Sequence, residues 1–81
     1  MPIQVCLGEG TNALSSVQVQ FVDGIRDKYK IYNDSKDVVN IGNMTYISVE
    51  FFSKGTYKFI IVGKDSSGAV KFEQTITFAV I

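Results

Sequence analysis

The sequence predicts an all-β fold, a single antiparallel β-sandwich of about seven strands that spans residues 1–81. Three observations support this prediction. Apolar residues recur with a period of two, the spacing of half-buried strands, and not with the helical period of 3.6. Turn-forming residues follow at intervals of about eight to twelve residues. The 81 residues, 46% of them apolar and 20% charged, have the composition of one small globular domain.

Four short strands are predicted in the N-terminal half. The first three alternate apolar and polar residues, the fourth is a short apolar segment, and each ends at residues that favour turns. These strands cover residues 3–7, 17–21, 28–32 and 38–41. A turn-rich connection over residues 8–12 separates the first two.

Three further strands are predicted in the C-terminal half. They cover residues 46–51, 57–62 and 70–80. The last two are predicted to form a hairpin because Asp65, Ser66, Ser67 and Gly68 between them tolerate turn geometry.

The apolar faces of these strands identify the expected core. It comprises Val19, Phe21, Ile31, Val49, Phe59, Ile61, Phe72, Ile76 and Phe78. Cys6 lies in an alternating apolar segment with no basic residue nearby, and we interpret it as a small buried hydrophobic residue and not as a reactive thiol.

The segment 53–68 contains the pattern Gly-x-Tyr, then alternating apolar residues, then Asp-x-x-Gly. It resembles the E–F corner, strand F and F–G turn of bacterial and phage immunoglobulin-like modules, including the triple-tyrosine and polycystic-kidney-disease-like groups. The resemblance implies an immunoglobulin-like sandwich in which Tyr57 is the tyrosine corner, its hydroxyl bonded to upstream backbone. It also implies that Val19 faces Phe59 from strand B, and that Tyr29 or Ile31 replaces the buried Trp of strand C.

Composition argues against several functional classes. Eight basic and eight acidic residues leave no net charge, which disfavours a nucleic-acid partner. Without His, and with one Cys, the chain cannot form an internal disulfide or a Cys/His zinc site, and we predict no cofactor and no enzymatic activity. No apolar run approaches the roughly 20 residues that span a bilayer, and no export signal is visible at the N-terminus, so membrane insertion is not expected.

The acidic and amide residues after the third predicted strand form one candidate metal site. Asn33, Asp34 and Asp37, with Asn40, supply oxygen ligands of the kind that calcium binds. Their spacing matches no calcium-loop pattern, and the same residues favour turns, so we interpret them as a solvated loop. The carboxylate pairs Asp23 with Asp27 and Asp34 with Asp37 would need a cleft for catalysis, which a sandwich of this size is not expected to provide.

Five apolar or aromatic residues are predicted to lie opposite the core and to form an interface. They are Ile60, Val62, Tyr32, Tyr46 and Phe52. Exposed aromatic residues are enriched in binding surfaces, and apolar residues on an outward face indicate contact with a neighbouring chain.

These features predict a non-catalytic structural or interaction module that binds a protein partner. The chain begins with Met and shows no export signal, so the leading hypothesis is a small auxiliary or decoration protein on a virus (bacteriophage) particle, made in the host cytoplasm and bound to capsid or other assembly subunits. The alternative is a carbohydrate- or cell-surface-binding module of a larger extracellular bacterial protein, with Tyr32, Tyr46 or Phe52 stacking on a glycan. A third hypothesis is an enzyme inhibitor that acts through the loops at 23–27 and 65–68.

Overall fold

The computed structural model describes residues 2–9 and 14–81. Its regular structure in these ranges consists of strands, without a helix, which confirms the all-β prediction. Seven strands occur there: β1 (Pro2–Glu9), β2 (Ser16–Gly24), β3 (Tyr29–Tyr32), β4 (Val39–Ile41), β5 (Met44–Phe51), β6 (Gly55–Lys64) and β7 (Val70–Val80). Of the connection predicted over residues 8–12, residues 8 and 9 extend β1, and the rest lies outside the described residues.

The strands form two antiparallel sheets. In the first, the β5 sheet, β1 pairs with one edge of β5, while β3 and β4 pair with successive parts of the other edge. The second, the β6 sheet, has the order β2-β6-β7. The predicted hairpin between the last two strands is confirmed, and its pairing runs from Gly55 opposite Val80 to Lys64 opposite Val70.

The strand order differs from the one that the resemblance implies. Antibody domains place strands B and F in opposite sheets, with strand C beside F. Here β2, the counterpart of strand B, pairs with β6, so Val19 lies beside Ile61 in the same sheet. The prediction that Val19 faces Phe59 from the other sheet is therefore wrong. The ring that faces Phe59 from the β5 sheet is Tyr29, at a centroid distance of 4.9 Å.

A glycine at the end of β2 accounts for part of this pairing. Gly24 has a φ of 105°, a conformation that residues with a Cβ rarely adopt. A Cβ there would also collide with the backbone carbonyl of Thr56, at the start of β6. Glycine thus permits the close approach of the two strands, and Ile25 N–H then donates to Thr56 O over 3.0 Å.

The core lies between the two sheets. Its buried apolar residues are Val5, Leu7, Leu14, Val17, Ile47, Val49, Tyr57, Phe59 and Ile61. The predicted core residues that are only half-buried are Val19, Phe21, Ile31, Phe72, Ile76 and Phe78. All six lie on β2, β3 or β7, the strands at the sheet edges, where side chains are covered from one side less than on β5 and β6.

Tyr57 is at the centre of an aromatic cluster that joins the sheets. Its side chain is fully buried, and its hydroxyl donates to the Ser53 carbonyl over 2.6 Å. This is the contact that the tyrosine-corner resemblance implies. The Tyr57 ring lies 4.5 Å from that of Phe51, and Phe51 lies 5.3 Å from Phe78. The cluster therefore connects β5 of one sheet to β6 and β7 of the other.

Candidate protein-binding surface

The five predicted interface residues do not form one surface. Tyr32 and Tyr46 face outward from the β5 sheet, because their strand neighbours Ile31 and Ile47 belong to the core. Ile60 and Val62 face outward from the β6 sheet, on the opposite side of the molecule. Phe52 follows the end of β5 and belongs to neither sheet. Its ring is 58% exposed, while its N–H donates to Lys28 O over 2.8 Å.

The outer face of the β5 sheet carries a contiguous group of apolar side chains. Tyr46 lies between Cys6 of β1 and Val39 of β4 in the sheet register. Met44, two residues before Tyr46, lies opposite Ile41. Facing residues on neighbouring strands have Cβ atoms about 5 Å apart, so Cys6, Val39 and Ile41 each lie beside Tyr46 or Met44. We name this group the β5 patch: Cys6, Val39, Ile41, Met44 and Tyr46.

Contacts within the β5 patch centre on the sulfur of Met44. The Cys6 thiol and the Tyr46 hydroxyl each donate to Met44 Sδ over 3.6 Å. These are weak hydrogen bonds to a soft acceptor, and they link side chains of two neighbouring strands, β1 and β5. Val39 is 40% and Ile41 60% exposed. The patch thus presents apolar surface to solvent.

Cys6 corrects a prediction, because it is exposed and not buried. The reason is that successive side chains of a β-strand alternate between its two faces. Val5 and Leu7 are core residues of β1, so Cys6 between them must point to the outer face.

Polar groups border the β5 patch at Tyr32. This residue lies opposite Ser48, the next outward position along β5 from Tyr46. Its hydroxyl donates to Glu50 Oε1 over 2.9 Å, and Lys30 Nζ lies 4.9 Å from the centre of its ring. The hydrogen bond raises the pKa of Tyr32 and lowers the pKa of Glu50, since it favours the protonated phenol and the ionised carboxylate.

The outer face of the β6 sheet has a different composition. Ile60 lies between Gln20 of β2 and Thr75 of β7. Val62 in turn has Gln18 on one side and Glu73 on the other. Both apolar side chains are half-buried beneath these polar neighbours. They form a narrow stripe and not a broad apolar surface.

The residues of the hypothetical sugar platform and of the hypothetical inhibitory surface are spread over the molecule. Tyr32 and Tyr46 lie on the outer face of the β5 sheet, whereas Phe52 belongs to neither sheet. Lys30 lies over one face of the Tyr32 ring. The loop at 23–27 adjoins the start of β6 through Ile25 N–H and Thr56 O, whereas the loop at 65–68 follows its end. A strand of 10 residues is about 33 Å long, so the two loops are at opposite ends of the sandwich.

The candidate cation loop is organised by its own hydrogen bonds. The Asn33 side-chain amide donates to Val17 O over 2.7 Å, which ties the end of β3 to the other sheet. Asp34 O accepts from the N–H groups of Asp37 and Val38. The Asn40 side-chain oxygen accepts from the Thr45 hydroxyl over 2.7 Å. In the described part of the chain, no three His, Cys, Asp or Glu residues are grouped as a metal site would require.

Comparison with protein-family models, with curated proteins and with solved structures finds no match for this chain. None of the described segments is a helix with the length and apolarity to cross a membrane. The proposed function therefore rests on the chemistry of the surface.

Most of the β5 patch was not predicted from the sequence. Tyr46 was predicted as an interface residue, but Cys6, Val39, Ile41 and Met44 were not. A signal for three of them was present, since Gly42-Asn43 is a two-residue turn between β4 and β5. Such a turn places Ile41 opposite Met44 and Val39 opposite Tyr46, on the face that Tyr46 occupies.

Proposed function

We propose that this protein is a non-catalytic β-sandwich module that binds a partner protein through the β5 patch. The observation that carries the proposal is the position of five contiguous apolar side chains on a sheet face that no described part of the chain covers. A sheet face exposed to water normally carries polar residues, and a contiguous apolar group bordered by polar ones is typical of protein interaction sites. Tyr32, Glu50 and Lys30 supply such a polar border.

The absence of His from the sequence supports the non-catalytic part of the proposal. The most frequent general acid and base of enzymes is lacking. A cleft between the sheets is lined by Ile3, Phe51, Phe78, Ala79 and Val80, all apolar residues that can neither donate nor accept a proton through their side chains. Apolar side chains of this kind can contact a binding partner.

The setting that we propose is the surface of a virus particle, where a small auxiliary or decoration protein binds capsid or other assembly subunits. Tyr57 makes the hydrogen bond that the resemblance to immunoglobulin-like modules implies, and modules of that kind occur on phage particles. One apolar face for the shell and one polar face for solvent fit this role. A glycan-binding module of an extracellular bacterial protein remains the alternative, and the test below separates the two.

The test uses a matched pair of variants, Val39→Asp and Val22→Asp. The two valines have nearly equal exposure, 40% and 42%, but Val39 belongs to the β5 patch and Val22 to β2 of the other sheet. Virus particles purified from the host that carries this gene are mixed with each variant and sedimented. We expect the unchanged chain and Val22→Asp to saturate the particles at the same fixed stoichiometry. Val39→Asp should bind at least about tenfold more weakly, since a buried carboxylate without a partner is costly.

Two results would contradict the proposed function. Equal binding by Val39→Asp and Val22→Asp would remove the β5 patch from the interface. A chain that ignores particles but binds a glycan array, with loss of binding in a Tyr32→Ala variant, would replace the proposal with the glycan-binding alternative.

A further inference from the structure

The C-terminal part of the outer edge of β7 lacks the features that normally protect an edge strand, whereas Lys71, Glu73 and an irregularity of the pairing between Val70 and Phe72 lie in its N-terminal part. β7 is the longest strand, with 11 residues, and among the described residues it pairs only with β6. Edge strands of monomeric proteins usually carry charged residues, proline or bulges that prevent pairing with other chains. Residues 74–81 contain no charged residue, no proline and no glycine. Segments of this composition pair readily with other strands.

An apolar cleft lies beside this edge. It has a volume of about 300 Å³ and is lined by Ile3 of β1, Phe51 of β5, and Phe78, Ala79 and Val80 of β7. Because β1 and β7 are edge strands of different sheets, the cleft lies between the sheets along this side of the sandwich. A strand added to β7 would project every second side chain toward it. An apolar cavity of about 150 Å³ already accommodates a benzene ring, so the cleft has room for an aromatic side chain.

We propose that two copies of this chain pair through their β7 edges, antiparallel and related by a twofold axis at Thr75. In this register Thr75 lies opposite Thr75 of the second copy, and residues 72–78 pair one to one, up to the irregularity between Val70 and Phe72. The two three-stranded β6 sheets then become one continuous sheet of six strands. Both copies use the same surface, as a closed twofold dimer requires.

The register brings suitable side chains together. Phe78 lies opposite Phe72 of the second copy. This pair projects toward the cleft, because Phe78 lines it. Glu73 lies opposite Thr77, so the one-to-one part of the pairing places no charged residue opposite another. Aromatic pairs across strands stabilise a sheet, and like charges would destabilise it.

The position of Phe72 favours a second copy over a different partner strand. The cleft adjoins the C-terminal half of β7, whereas Phe72 is in its N-terminal half. Phe72 is half-buried, so it has apolar surface left to bury. One twofold rotation places Phe72 of each copy beside the cleft of the other. The strand is therefore complementary to itself.

This pairing is independent of the proposed binding function. It uses the edge of the β6 sheet, whereas the β5 patch lies on the outer face of the β5 sheet. Cys6 stays accessible in the dimer. Loss of dimerisation and loss of partner binding are therefore separate results.

The first test is cross-linking by an introduced cysteine. Cys6→Ser removes the native thiol, and Thr75→Cys or Thr77→Cys is added in that background. Across the proposed axis two residues at position 75 have Cα atoms about 5 Å apart, within the range of a disulfide, whereas two residues at position 77 are about 13 Å apart. Under mild oxidation, we expect Thr75→Cys to give a covalent dimer at least about tenfold faster than Thr77→Cys. Equal rates, or faster cross-linking of Thr77→Cys, would overturn the proposed pairing.

The second test places a lysine at the edge. Gln74 faces the core side of β7 opposite Ile61 but is exposed, and an inward-pointing lysine is a natural means of blocking an edge strand. Gln20→Lys, on the other edge strand of the same sheet, is the matched control. At about 100 μM, light scattering should give a dimer for the unchanged chain and Gln20→Lys but a monomer for Gln74→Lys. A monomeric unchanged chain, or a dimer that persists in a folded Gln74→Lys variant, would overturn the proposal.

Discussion

The two sheets of the sandwich have similar inner faces and different outer faces. Inside, both alternate apolar residues toward one core that contains Ile47 and Val49 from one sheet and Phe59 and Ile61 from the other. Outside, the β6 sheet surrounds Ile60 and Val62 with polar side chains, whereas the β5 sheet carries the β5 patch. The inner faces are required by the fold. The difference between the outer faces is not, and it is therefore the feature that informs on function.

The largest loss of stability is expected from a variant that disrupts the core between the two sheets. Tyr57→Ala should lower the free energy of unfolding by about 3–5 kcal/mol, as for other buried aromatic residues. Tyr57→Phe keeps the ring and loses only the hydrogen bond to Ser53 O, at a cost of about 1 kcal/mol. Urea denaturation measures both values. If the two variants lost equal stability, the ring would contribute little, and Tyr57 would not be the centre of the core.

Two smaller effects, one on stability and one on binding, distinguish the outer faces of the two sheets. Ile60→Thr should cost about 1 kcal/mol of stability, because Ile60 is half-buried, and should leave partner binding unchanged. Ile41→Thr should change stability by less than about 0.5 kcal/mol, because Ile41 is largely exposed, and should weaken binding. Urea midpoints and sedimentation with particles measure the two quantities. Weakened binding by Ile60→Thr alone would instead place the interface on the β6 sheet.

The smallest effect concerns one carboxylate on each sheet. Hydrogen bonds from Ser67 chiefly lower the pKa of Asp65, and the bond from Tyr32 chiefly lowers that of Glu50. A carboxyl with a lower pKa in the folded state binds fewer protons there than in the unfolded chain. Its contribution to stability is therefore present above the unfolded pKa, near 4, and is lost as the pH falls through the folded pKa.

Variants of these two residues test this pH dependence. Asp65→Asn and Glu50→Gln should each flatten the decrease in the urea midpoint between about pH 5 and pH 3. Asp23→Asn, at the end of β2, is the control. An unchanged slope in Asp65→Asn would mean that the hydrogen bonds of the 65–69 turn do not persist in solution.

Much of the fold was predictable because each strand depends on residues that are close together in the sequence. All seven strands follow from a period of two, and the hairpin of β6 and β7 follows from the residues 65–68. Sheet order was not predictable in this way. Val19 and Phe21 would be buried equally well whether β2 pairs with β6 or lies in the opposite sheet. The deciding contact, Gly24 against Thr56, joins residues that are distant in the sequence.

The candidate surface was less predictable for a related reason. An outward residue gains significance from its neighbours on adjacent strands, and these depend on sheet order. Ile60 and Val62 were predicted as interface residues from one strand alone, without the glutamines of β2 that flank them. Ile41 and Val39 appeared as an unremarkable apolar segment until their register with β5 placed them beside Tyr46.

The most direct test of the proposed binding surface uses Cys6, the single cysteine, as a reporter within the β5 patch. The rate of its alkylation by a maleimide is measured for the chain alone and for the chain bound to sedimented particles. A partner that covers the β5 patch should reduce the rate by at least about tenfold, since the thiol must then be uncovered before it reacts. Alkylation of the bound chain at the rate of the free chain would contradict the account, because the partner would then occupy another face.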